Sequence, residues 1–186
     1  MEKDISLAQL QEQIDAMKEK ISSLENSRKD QLSIAIVSGD LDKILAAMVL
    51  SLAAAALDTK VKLFFSFWSL SALRDSRKKA KGKDVISKMF GFMLPRGRNK
   101  LKLSKMNMAG MGPMMIKSLM KKQGVLSLDQ MFKEAAELGI EITVCEMSMN
   151  LMGFKKEEMI DYPNLRFAGA TTFISEANES SLQLFI

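Results

Sequence analysis

The chain has 186 residues, 47% apolar and 26% charged, with a formal net charge of +5. That length supports a full core and predicts one soluble domain with appendages. The single Cys excludes an intramolecular disulfide, and the lack of His excludes Cys–His dyads, Ser–His–Asp triads and His-ligated metal sites.

The charge is concentrated. Residues 74–105 carry 12 Lys/Arg against 2 Asp/Glu, which leaves the remainder net acidic, and 8 of the 16 Met lie between Met89 and Met120. The opening MEKDISLAQ has no basic stretch followed by an apolar one, so no secretory signal is expected. One free thiol suits a reducing, cytoplasmic compartment.

Residues 5–27 show a heptad, with Leu7, Leu10, Ile14, Met17, Ile21 and Leu24 at the a and d positions. Ile at two a positions with Leu at two d positions leans toward a parallel coiled coil. A helix lying along its own domain fits the pattern equally well, because three heptads are short for an independent coil. Residues 1–30 are therefore assigned to this helix and a linker, and 31–186 to an α/β domain with an insertion over 78–123.

Leu32–Ser38 is a nearly continuous apolar run of strand length, as expected for a central strand buried on both faces. Ser38-Gly39-Asp40 makes a turn and Leu41–Leu57 a helix. Its apolar part, Ile44–Leu57, falls short of the roughly twenty residues a membrane span needs. Val61–Phe67 supplies a second strand and completes a βαβ unit, followed by Trp68 and a short helical stretch to Arg74. Residues 78–123 interrupt the rhythm with mixed basic, Met-rich and Gly/Pro-punctuated sequence. A lid, a partner surface of adaptable Met side chains and an amphipathic membrane contact are the functional readings of that segment. Phe90 and Phe92 sit among basic residues, but no RNA- or DNA-binding motif accompanies them, so no nucleic acid partner is expected.

Leu128–Leu138 is an amphipathic helix ending at Gly139. Ile140, Ile142 and Val144 alternate with Glu141 and Thr143, which predicts a strand ending on Cys145. Met147, Leu151 and Met152 then recur at helical spacing. A thiol between a strand end and a helix start faces free backbone N–H groups, which favour the nucleophilic thiolate. A small, inert core residue is the competing reading of the same Cys. Leu165–Ala168 is a short strand, Gly169-Ala170 a turn, and Thr171–Leu184 a final helix. Alternating strands and helices predict an α/β fold around a parallel sheet.

In such sheets ligands sit beyond the carboxyl ends of the strands. The segments there are Gly39-Asp40, Phe67-Trp68, Cys145 with MSMN, and Gly169-Ala170-Thr171. Pocket candidates are thus Gly39, Asp40, Trp68, Met147, Asn150, Gly169 and Thr171, around a candidate catalytic Cys145. Neither a metal site nor a cofactor is expected, since no G-x-G-x-x-G fingerprint or second Cys is present.

Three stretches, IAIVSGDLDKILAAMVLSLAAAAL, ITVCEMSMNLMGF and LRFAGATTFISEANESSLQLFI, resemble the DsrE/DsrF-like family of sulfur carriers, including its "peroxiredoxin-like" branch. The resemblance covers about Gln31–Ile186. It implies a flavodoxin-like, three-layer sheet of about five parallel strands, oligomeric assembly, and a cysteine that carries sulfane sulfur. By that match Cys145 accepts the persulfide. Where related sequences tend to be acidic after MSM, this chain has Asn150, and Glu146 stands beside the thiol instead. A carboxylate there would oppose the thiolate, and an amide could donate to it.

The expected function is sulfur transfer through a Cys145 persulfide, with a sulfane donor and acceptor protein thiols as partners and a homo-oligomeric assembly. A non-enzymatic oligomeric scaffold is the competing class, and peripheral membrane contact through residues 85–120 ranks last.

Overall fold

Leu32, Ile34 and Ile36 alternate with Ser33 and Ala35 along one strand, and all five are buried. Only an inner strand with cover on both faces satisfies that pattern. The computed structural model, which describes residues 7–27, 29–78, 80 and 85–186, places this strand inside a five-stranded parallel sheet. The strands are β1 (Lys29–Ile36), β2 (Lys60–Phe65), β3 (Glu141–Cys145), β4 (Leu165–Ala168) and β5 (Ser180–Phe185), in the order β4-β3-β2-β1-β5. Helices flank the sheet, so the architecture is α/β and flavodoxin-like. The winding runs outward from β1 to β4 and then returns to the far side of β1.

The two faces differ in chemistry. Leu32, Ile34, Ile36, Leu63, Phe65, Ile142 and Val144 form one apolar core with α2 (Leu41–Ala55) and α5 (Leu128–Glu137). Ile44, Ala47 and Met48 of α2 and Met131, Phe132 and Ala135 of α5 are all buried there. On β1 the intervening Gln31 and Ser33 bond instead to Ser180, and Gln31 also donates to the Glu176 carbonyl of α7 (Ala170–Asn178) at 2.8 Å. Lys62, Glu176, Arg166 and Glu141 form a linked ionic cluster, with both Lys62 and Arg166 within 2.8 Å of the Glu176 carboxylate.

The C-terminal segment departs from the helix expected over Thr171–Leu184. Helix α7 ends at Asn178, and β5 follows it directly. Ser181-Leu182-Gln183-Leu184 alternates in the strand period, and the open edge of β1 supplies the hydrogen-bonding partner. Docking onto that edge overrides the local helical tendency.

Helix α1 (Leu7–Ser27) does not lie along the domain with its apolar stripe covered. Leu7, Leu10, Ile14, Met17 and Ile21 are all exposed, Met17 at 62%. Within the basic insertion, α3 (Val85–Met93) and α4 (Met111–Lys122) are helical. Residues 79 and 81–84 lie outside the described residues. Among those described, no helix is long and apolar enough to cross a membrane.

Candidate active site

β3 ends at Cys145, and α6 (Glu146–Leu151) begins at the next residue, so Cys145 is the N-cap. An N-cap side chain sits beside the first free amides of its helix, although the Cys145 sulfur makes no capping hydrogen bond to them. Three residues on, the Ser148 hydroxyl donates to Cys145 Sγ at 3.4 Å. Ser66, at the carboxyl end of neighbouring β2, lies with its hydroxyl 2.7 Å from that of Ser148. Ser69 anchors this serine through bonds to the Ser66 amide and carbonyl, and also donates to the Ile36 carbonyl at 2.6 Å.

Cys145 is 1% exposed. Burial by itself pushes a thiol up. Here the Ser148 hydroxyl and amide, the Ser66 hydroxyl and the Met147 amide outweigh that effect and hold Cys145 below its ordinary value. The apparent opposition from Glu146 is absent, because its carboxylate pairs with Lys156 at 2.8 Å. Lys156 in turn sits over the Phe167 ring, 4.7 Å from its centroid. Asn150 is exposed, and its backbone carbonyl accepts from the Gly153 amide.

Gly39, Asp40 and Trp68 line one cavity of about 290 Å³. A Cβ on Gly39 would stand 2.5 Å from the Trp68 carbonyl oxygen, so this approach requires glycine. The insertion adds Met93, Pro95 and Lys102 to its lining. Ser71 also lines it, and its buried hydroxyl has no hydrogen-bond partner among the described residues. Cys145 is not part of that lining. Gly169 caps α7 and follows Ala168, the register partner of Cys145; Thr171 and Met147 are exposed.

Sequence reasoning located Cys145 but missed Ser66 and Ser148. For Ser148 a signal existed: C-x-x-S spans the N-cap to N3 spacing of a capping pair. Ser66 had none, since its place beside β3 depends on the pairing of β2 with β3.

The insertion is tied down at both ends of α3. Buried Arg74 donates to the carbonyls of Gly91, Leu94 and Pro95, lies against Glu158 at 3.6 Å, and covers the Phe154 ring at 4.4 Å. At the other end Ser87 packs onto Gly153, eight residues past the thiol.

The family model described as "DsrE/DsrF/DrsH-like family" matches residues 28–185. The Bacillus subtilis protein named "Uncharacterized protein YrkE" is 44% identical over 154 residues, which is 83% of this chain and 95% of that protein. The Allochromatium vinosum "Sulfur carrier protein DsrE2" is 32% identical over 160 residues, covering 84% of this chain and 98% of that protein. With its parallel sheet and strand-end cysteine, the chain belongs to the DsrE/DsrF/DrsH-like family.

Proposed function

We propose that this protein is a cytoplasmic sulfur carrier that holds sulfane sulfur as a persulfide on Cys145. The observations that support this reading best are the Ser148 hydroxyl donating to Cys145 Sγ at 3.4 Å and the Ser66 hydroxyl behind it, beside a thiol held below its ordinary value despite burial. An inert core thiol needs none of them.

In the loading step the Cys145 thiolate attacks the outer sulfur of a donor persulfide, R–S–SH. A new S–S bond forms at Cys145, the donor's S–S bond breaks, and R–S⁻ leaves with the electron pair. In unloading, an acceptor thiolate attacks the outer sulfur and Cys145 leaves as the thiolate. No external oxidant is consumed. Thiolate fraction and access set both rates. The low exposure of Cys145 makes access the controlled quantity.

The exposed heptad stripe of α1 supports a homo-oligomer joined through that helix. The basic insertion attracts anionic donors or an acidic partner.

The test is intact mass after incubating the reduced protein with polysulfide, beside Cys145→Ser. The expected result is a gain of one sulfur atom, reversed by dithiothreitol and absent in the variant. No gain with any sulfane donor would make Cys145 a core residue and put an oligomeric scaffold first.

A further inference from the structure

A second cleft, of about 320 Å³, is lined by Arg74, Arg96, Gly97 and Arg98 and faces Asp129 of α5. Arg74 is 3% exposed; both its terminal nitrogens have acceptors, but Nε has none among the described residues. Arg98 donates through Nε to Asp129, while its buried Nη1 has no partner there either. Two guanidinium N–H groups from separate segments are therefore buried without acceptors beside one cleft. A buried donor left unanswered is costly, so each needs an explanation.

The surrounding charges give the sign of what would answer them. The carboxylates of the cleft are already engaged: Asp75 by Arg77 at 2.8 Å, Asp129 by Arg98 and Asn99, and Asp161 by Lys78 at 2.6 Å. Arg96 and Lys100 line the same cleft, and neither has a carboxylate partner among the described residues. Burial lowers the Arg74 pKa, Glu158 opposes that, and the like charge of Arg96 lowers it further. Gly97, at φ +89°, brings these cations together, because a Cβ there would stand 2.9 Å from the Arg74 carbonyl oxygen.

We propose that this cleft binds a small tetrahedral oxyanion through Arg74 Nε, Arg98 Nη1, Arg96 and Lys100. Phosphate, sulfate and thiosulfate share the required chemistry: several oxygens around a compact negative centre, matched to guanidinium N–H groups. Cys145 does not line the cleft, so the site stands apart from persulfide chemistry.

The experiment is calorimetric titration of the full chain at low ionic strength with sodium phosphate, sulfate and thiosulfate in separate arms. Saturable one-site binding is expected. Arg96→Gln and Lys100→Gln should each weaken it by about tenfold or more, as loss of a charge-assisted bond does. Lys105→Gln, an equally basic change outside the lining, should leave the affinity unchanged, as should Cys145→Ser. Unaltered thermal midpoints confirm that the variants fold; if Arg96→Gln does not, Lys100→Gln decides. Equal affinities in the three arms identify a general oxyanion site, and a preference for one arm identifies the oxyanion it selects. No saturable binding in any arm, full affinity in both cleft variants, or loss of binding in Cys145→Ser would overturn the proposal.

Discussion

The hydroxyls of Ser66 and Ser148 lie 2.7 Å apart although 82 positions separate them in the chain. Ser148 in turn donates to Cys145, so the two serines form a short relay that ends on the sulfur. One serine stands at the carboxyl end of β2 and the other in the first turn of α6, and the parallel pairing of β2 with β3 joins them.

That relay sets the first expected outcome. Ser148→Ala removes a hydroxyl donor while burial remains, so the Cys145 pKa rises toward its ordinary value. Alkylation by iodoacetamide at neutral pH should slow about tenfold, the scale of one hydrogen bond to a charged acceptor. The pH midpoint of the rate should move up. Ser66→Ala should shift it in the same direction by less. An unchanged midpoint in Ser148→Ala would show that the hydroxyl does not stabilise the thiolate.

Gly153 has φ +65°, and a Cβ there would stand 2.1 Å from Ser87 Oγ and 2.2 Å from its Cβ. Gly153→Ala should destabilise the fold by about 1–3 kcal/mol through backbone strain and overpacking together. Adding Ser87→Gly removes the Oγ and Cβ overlaps but neither the strain nor the approach to the Ser87 Cα at 2.6 Å, so the double variant should be more stable than the sum of the two single changes while staying below the parent. Urea unfolding of the four proteins measures this coupling. Simple additivity would mean that α3 does not rest on Gly153.

Arg74 and Glu158 are both buried and 3.6 Å apart. Glu158→Ala leaves the guanidinium charge in the interior without its carboxylate, at a cost of about 3–5 kcal/mol. The denaturation midpoint should fall accordingly. Because Arg74 also binds three carbonyls of the α3 segment, limited proteolysis should cut near residues 91–95 faster in the variant. A midpoint within experimental error of the parent would remove the clamp.

Several carboxylates are held below their ordinary values. Burial acts against this for Glu176 and Asp129, but hydrogen bonds from Lys62 and Arg166, and from Arg98 and Asn99, prevail. For Asp75 the side-chain and backbone bonds from Arg77 bring it to about 2. A depressed carboxylate binds its proton more readily in the unfolded chain, so its stabilisation is complete above the unfolded value, about 4. It is lost as pH falls through the folded value. Thermal midpoints should therefore decline below about pH 4, with the Asp75 share persisting to about pH 2. Glu176→Gln should flatten part of the decline. An identical acid profile in that variant would assign the loss to other groups.

What the sequence alone determined follows from local periodicity. The β-branched alternation before Cys145, the apolar run of β1, the Ala- and Leu-rich α2 and the amphipathic α5 each carry their own period. They place the thiol at a strand-to-helix junction in an α/β chain. The family motif around Cys145 added the chemistry expected of it. Tertiary structure alone decided whatever depended on residues far apart in sequence. Strand β5 exists because the free edge of β1 accepts it, against the helical pattern of Thr171–Leu184. Glu146 is neutralised by Lys156, ten residues away, and Ser66 reaches Cys145 only through the sheet. The buried Arg74 could not be told from its solvated neighbours in a basic run. Its acceptors at 91, 94, 95 and 158 converge only in the fold, and burial rather than composition gives its charge its weight.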